Sequence, residues 1–243
     1  DTIDWINWNE YMKYEIDMLG VGAADALLIR FFDDNDNAYV ILVDSGNYSN
    51  GKTVADFVKN RYKTYTIDLA ICTHCDEDHF GGFIYLLENM KNNPNTSVDI
   101  KKILINDPGL HITQDDVKYY QNIDNVRKEA RSVYNANGKN LLELIWELSQ
   151  KRGLSYSEAF SDKHNSEFNG LIDILGPSID FYKNQALLFR NDLKPYDYAL
   201  ADDNEDAYEI PETKKIYSKK LDEVGNDPSH HNKSSIIFLF KPD

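Results

Sequence analysis

Apolar residues in this chain fall in short runs broken by Gly, Asn and Asp, and their spacing alternates between two periods. Residues 15–19, 26–32, 38–44, 67–71 and 101–106 carry alternating or continuous apolar positions over strand-like lengths. Between them, Val54, Phe57 and Val58 recur at i, i+3 and i+4 and predict a helix over 53–62. Phe83, Leu86, Leu87 and Met90 predict another over 83–90. The tip Asp33-Asp-Asn-Asp-Asn37 reads as a hairpin turn, because Asn and Asp tolerate positive φ. It imitates a calcium loop, but Ala38 stands where an EF-hand requires Gly. Strands alternating with helices predict an α/β fold.

The pattern continues less regularly. Thr113-Gln-Asp-Asp116 is a capping box and predicts a helix to about residue 134, with Lys118, Arg127, Lys128 and Arg131 as a basic face in an acidic chain. Asn140 opens a second helix, to about 153, with Leu141, Leu144, Ile145 and Leu148 on its apolar side. Residues 113–153 are therefore expected as a helical insertion, a lid or wall beside a site. A strand over 171–175 stops at Gly176-Pro177, an acidic, loop-like region occupies about 178–230, and a last strand spans 235–240. Trp5, Trp8 and Tyr11 are expected to cap the core, and 1–243 is expected as one domain.

One stretch stands apart. Ile71-Cys-Thr-His-Cys-Asp-Glu-Asp-His-Phe-Gly-Gly82 places His74, Asp76, Asp78 and His79 at the end of an apolar strand. Imidazole nitrogens and carboxylate oxygens suit Zn²⁺, Mn²⁺ or iron. Acidic clusters with a His are also common on solvated loops. Here the strand before the cluster, and Gly81-Gly82 after it, favour a built site, since glycine permits close backbone approach. A pair of metals ~3.5–4 Å apart can clamp both oxygens of a hydrolytic displacement.

Thr73-His74-Cys-Asp76-Glu-Asp78-His79-Phe-Gly81-Gly82 resembles the metal-binding signature of the metallo-β-lactamase fold, with Asp76 where the usual pattern has a second His. That variant is similar to the hydrolase domain of ComEC-type competence proteins. The run from Asp17 through Gly20, Gly22 and Asp25 to Ile29, and Leu42-Val-Asp44-Ser-Gly46, resemble two further motifs of that subfamily; Ile172–Pro177 and Asn232–Ile237 match loosely. The resemblance implies a metallo-β-lactamase-like αββα sandwich, truncated at its C-terminal end because no closing Gly-Asp segment follows Phe240. It implies two divalent metal ions, Zn²⁺ first and Mn²⁺ second. His74 and Asp76 would hold one, Asp78 and His79 the other, with His231 expected as a further ligand and Asn232 as site-lining. Asp44 would orient a ligand, and Asp78 would double as the catalytic proton acceptor for a metal-activated water. The implied substrate is a phosphodiester such as DNA; a protein partner is open, and so are an ester or thioester hydrolase and a binding module that has lost catalysis.

Composition changes this picture in three places. A net charge of −15 repels polyphosphate at long range and counts against unaided, tight binding to nucleic acid. No apolar run reaches the ~20 residues that cross a bilayer, so no membrane association is expected of this chain. Cys72 and Cys75 are the only cysteines, which excludes a Cys₄ zinc site. Cys72 is expected as a small buried hydrophobe and Cys75 as pointing away from the ligands; reduced thiols favour the cytoplasm. His111 is expected as a solvated loop residue. No Gly-x-Ser-x-Gly and no Walker loop is present, which argues against a serine hydrolase and P-loop NTP use.

Overall fold

The computed structural model describes residues 12–117, 121–163, 166–189 and 229–242. Trp5, Trp8, Tyr11, Lys118 and the acidic run 202–212 lie outside the described residues.

β1 (Tyr14–Met18), β2 (Leu27–Phe32) and β3 (Ala38–Val43) form an antiparallel meander, with Ile16 opposite Ile29 and Ile29 opposite Ile41. The tip between β2 and β3 closes on Asp33, whose carboxylate accepts from the Asn35 and Asn37 backbone N–H groups. The sheet then turns parallel: β5 (Leu69–Ile71) lies beside β3, β7 (Lys102–Leu104) beside β5, and β10 (Ser155–Ser157) beside β7. The order is β1-β2-β3-β5-β7-β10. A short parallel pair, β4 (Thr66–Ile67) with β6 (Asp99–Ile100), flanks it.

Both faces of this sheet are apolar, which explains its near-continuous hydrophobic runs. Leu28, Val40, Leu42, Ala70 and Ile103 face a helical layer made of α1 (Gly51–Asn60), α2 (Glu77–Asn92) and, further on, α4 (Leu141–Arg152). The alternate residues Ile29, Phe31, Ile41, Val43, Leu69, Ile71 and Leu104 face a second sheet. That sheet is antiparallel, β11 (Ser166–Glu167), β12 (Ile172–Gly176) and β13 (Ile237–Phe240), and contributes Leu171, Ile172, Ile174 and Ile236 to the space between. The layers are thus helix, sheet, sheet.

Three readings of the sequence change. The helix expected from 113 to 134 is three pieces. The capping box does form, with Asp116 accepting from Thr113 N–H and Oγ1, but it closes only a 3₁₀ turn. Val117 then goes extended, Asn122 caps α3 (Ile123–Ala130), and a second 3₁₀ turn follows. The part of 113–153 that forms α4 is neither lid nor wall: its Leu141, Leu144, Ile145 and Leu148 are in the main core, and it leads directly into edge strand β10. The stretch after 178 is not wholly irregular. Ser178 caps α5 (Ile179–Ala186), which buries Tyr182 and Ala186. A short hairpin, β8 (Asn135–Ala136) with β9 (Lys139–Asn140), precedes α4, and α6 (His230–Lys233) precedes β13. No described helix is long and apolar enough to cross a membrane.

Candidate metal centre

The site forms where β3 and β5 end side by side, the usual place for chemistry in an open α/β sheet. β3 runs out at Asp44, whose φ of 53° is left-handed and therefore strained for a residue with a side chain. Its backbone N–H is held by Ile71 O at 2.9 Å. Its buried carboxylate turns toward the adjacent chain exit: Oδ1 accepts from Thr73 N–H at 2.8 Å, and Oδ2 accepts from Thr73 Oγ1 at 2.7 Å. The same Oδ2 meets His79 Nδ1 at 2.8 Å. Asp44 therefore orients His79 and has its oxygens committed, which is the supporting role the resemblance implies.

α2 begins inside the motif itself, at Glu77, so Asp78 and His79 ride on its first turn with Asp76 at the cap. Gly81 and Gly82 let that turn rest on the chain leaving β3. A Cβ on Gly82 would stand 2.1 Å from Ser45 O, and one on Gly81 would stand 2.6 Å from Tyr48 N. Ser45 N–H donates to His79 O at 2.8 Å across this contact.

The hydrogen bonds also settle which ring nitrogens are open. Thr73 has one hydroxyl proton, and Asp44 takes it. The 2.9 Å contact between Thr73 Oγ1 and His74 Nδ1 must then run from a ring N–H to the hydroxyl oxygen. His79 likewise donates Nδ1–H to Asp44. In the neutral rings both Nε2 atoms keep their lone pairs. His74 Nε2 is buried and has no hydrogen-bond partner among the described residues. Such an atom is costly unless something binds it. Burial, and then neighbouring His79, lower the pKa of His74 and keep it neutral. Burial opposes charge on His79, but Asp44, by hydrogen bond and charge, with Asp78 and Asp25, outweighs it and raises its pKa.

Carboxylates ring these nitrogens. His74 Nε2 lies 3.5 Å from Asp76 Oδ2. His79 Nε2 lies 3.5 Å from Asp25 Oδ2 and 3.9 Å from Asp78 Oδ2. The rings of His74 and His79 are 4.0 Å apart. His231 arrives from α6, pinned by a bond from Ile236 N–H to Thr73 O, and its Nδ1 meets Asp76 Oδ1 at 2.5 Å. Its neighbour His230 points elsewhere, to Gln185. Asn232 follows in the same short helix, its N–H directed at Ser229 Oγ. The donor set, bare imidazole nitrogens among carboxylate oxygens with one of those nitrogens buried and unsatisfied, fits a divalent cation.

The structure thus draws His74, Asp76, Asp78, His79 and His231 together. It adds Asp25, which the sequence placed in a run resembling a subfamily motif but to which it gave no role at the site. Cys75 does not point away from the ligands. Its Sγ lies within 4.8 Å of ligand atoms of Asp76 and His231, because the strand ends at Ile71 and its alternation does not extend to residue 75. Both cysteines are free and buried, and burial pushes both thiols up. The basic helix face is partly engaged: Arg127 donates to Ile112 O and Arg131 pairs with Asp107, while Lys128 stays exposed.

Residues 19–135 match the model of the metallo-beta-lactamase superfamily, a span that holds Asp25, Asp44 and the whole His74–His79 motif. No curated protein matches this sequence. Among solved structures, the mono-zinc form of the metallo-beta-lactamase FIM-1 from Pseudomonas aeruginosa is similar at 13% identity and a TM-score of 0.31, over 68% of this chain. The match spans 54% of that protein's length. The helix–sheet–sheet layering around the site is consistent with a metallo-beta-lactamase fold, the family whose model residues 19–135 match.

Proposed function

We propose that this chain is a metal-dependent hydrolase acting on phosphodiesters, with nucleic acid as one substrate class. The observation that carries the metal reading is the pair of bare Nε2 atoms set by the Thr73–Asp44 network, one of them buried without a partner. His74, Asp76 and His231 would hold one divalent cation; His79 and Asp78 would hold another. Zn²⁺ is favoured by the three histidines and Mn²⁺ by the carboxylates. A cation bound there supplies Lewis acidity, polarising a substrate oxygen and acidifying water.

The chain's own residues do the rest. Asp44 holds the His79 ring so that Nε2 faces the rim. Asp78 is half exposed, its Oδ2 3.9 Å from His79 Nε2, and would accept a proton from water at the site. The variant motif with Asp76 in place of a second His supports the narrower resemblance to ComEC-type hydrolases, and so a phosphodiester. The net charge of −15 favours a substrate delivered by a partner or small enough to avoid long-range repulsion. Buried free cysteines suit a reducing compartment such as the cytoplasm.

An ester or thioester hydrolase uses the same donor set, and the engagement of Arg127 and Arg131 inside the fold favours that second reading. The test is turnover by Zn²⁺- and Mn²⁺-loaded protein of bis-p-nitrophenyl phosphate, DNA, a thioester and a β-lactam. Phosphodiester hydrolysis that is lost in His79→Ala is expected. Thioester hydrolysis without phosphodiester hydrolysis overturns the substrate class, and metal uptake without any turnover favours a binding module.

A further inference from the structure

Asp25 has no evident structural duty. Its side chain is 68% exposed, and its carboxylate has no hydrogen-bond donor among the described residues. Yet its backbone is held on both sides to the two segments that build the metal centre. Asp25 N–H donates to Asp78 O at 3.2 Å, and Asp25 O accepts from Gly46 N–H at 2.8 Å. Leu19 N–H to Ala26 O at 3.0 Å closes the turn that carries it. The result is a carboxylate placed 3.5 Å from His79 Nε2, nearer than Asp78 at 3.9 Å.

A cluster of acids could form at any solvated rim. This one faces a ring nitrogen with a free lone pair, beside a second whose residue is 6% exposed and whose Nε2 lacks a partner. Asp44 lies within ligand range of His74 and His79, but it already accepts two hydrogen bonds from Thr73 and one from His79, so its place is to support that ring. Asp76 is drawn to the other side, between His74 and His231. That leaves His79 with Asp78, one ligand short of a three-ligand site, and Asp25 is the carboxylate at hand.

We propose that Asp25 is a metal ligand, completing with Asp78 and His79 a half-site distinct from that of His74, Asp76 and His231. The proposal rests on the metal-dependent reading of the site. It assigns the turn between β1 and β2 a direct part in holding the cation, and it makes the second half-site richer in oxygen than the first. The second half-site should therefore be the weaker one for Zn²⁺ and the one that accepts Mn²⁺ more readily.

The experiment measures Zn²⁺ and Mn²⁺ uptake by the wild type, Asp25→Asn, Asp78→Asn, the double variant and Asp36→Asn, with metal-free melting curves for each. Zn²⁺ is titrated against a chromophoric chelator, and bound metal is counted by mass spectrometry. The expected result is a loss of affinity at the weaker site of about tenfold or more in Asp25→Asn, with the stronger site unchanged and Asp36→Asn like the wild type. The double variant should lose little beyond Asp78→Asn, because both act on one cation. Asp25→Asn binding both metals as the wild type does overturns the assignment of Asp25 and leaves the metal centre standing. A wild type that takes up no metal overturns the metal centre itself and this inference with it. Asp25→Glu is the second variant: partial return of the weaker site supports ligation, and a loss equal to Asp25→Asn with a lowered metal-free melting temperature in both overturns it in favour of a structural role.

Discussion

Two of the molecule's histidine–carboxylate pairs sit at nearly the same distance, and only one belongs to the candidate metal centre. His79 Nδ1 meets Asp44 at 2.8 Å; His111 Nε2 meets Glu158 at 2.7 Å. Both pairs are largely buried. The difference lies on the far side of each ring. His111 is not a solvated loop residue: it is boxed edge-on by Phe160 and Tyr182, at 5.2 and 5.3 Å, and Glu158 also holds the Asp107 N–H and faces Lys163. His79 turns its other nitrogen toward Asp25 and Asp78 and lies against His74. A buried pair by itself is architecture. What marks a site is a second nitrogen left open and facing ligand-type oxygens.

The largest effects test whether the two pairs are built for different ends. Asp44→Ala strands the Thr73 N–H, the Thr73 hydroxyl and His79 Nδ1–H in a buried place, and should cost about 3 kcal/mol in urea unfolding of the metal-free protein. It should also weaken Zn²⁺ uptake about tenfold or more by freeing the His79 ring. Glu158→Ala leaves His111 and the Asp107 N–H unpaired and should cost about 2 kcal/mol, with Zn²⁺ uptake unchanged. If Zn²⁺ uptake falls as far in Glu158→Ala as in Asp44→Ala, the comparison breaks.

A smaller effect separates the pairs by pH, again without metal. His79 has its pKa raised above the ordinary 6.5: burial opposes this, and Asp44, Asp78 and Asp25 outweigh it. Its contribution is fully present below the unfolded value and is lost as pH rises through the folded one. Glu158 is lowered from 4.5: burial again opposes, and His111, the Asp107 N–H and Lys163 outweigh it. Its contribution is present above the unfolded value and is lost as pH falls through the folded one. Accordingly His79→Gln should flatten the alkaline limb of the stability profile and Glu158→Gln the acid limb. Both substitutions acting on the same limb would mean that one assignment is wrong.

The strands and the two helices flanking the motif were legible because each carries a simple period over its whole length. Val54, Phe57 and Val58, or Phe83 through Met90, could hardly face elsewhere. The capping box at Thr113 was real but said only that a turn begins there. Nothing local told how soon Val117 would leave it. In the site, His74, Asp76, Asp78 and His79 were legible because one turn carries them all. Asp25 was not, since backbone bonds to Asp78 and Gly46 bring it in from a distant turn. Nor was the contact of His231 with Asp76, which depends on Ile236 pairing with Thr73. Strand alternation carried past the strand's end at Ile71 turns Cys75 away from the ligands, whereas the chain has already left the strand there.

The smallest effect is also the most direct probe of the open side of His79. At pH 8 in metal-free protein, the Asp25 carboxylate lies on a rim with Asp78 and Asp76 and has no hydrogen-bond donor among the described residues. Its charge should therefore disfavour the fold slightly. Asp25→Asn should raise stability by about 0.5 kcal/mol, a modest figure because the group is mostly exposed and screened by solvent. The gain should shrink in about 1 M salt, where the Debye length is about 3 Å. At pH 6, where His79 is more charged, it should shrink again or change sign, because Asp25 then has a cation to face. Glu158→Gln must behave oppositely, costing stability at pH 8, since that carboxylate is fully partnered. A loss of stability in Asp25→Asn at pH 8 would mean that Asp25 is held for the fold, and the distinction between an open and a closed histidine pair would no longer separate site from scaffold.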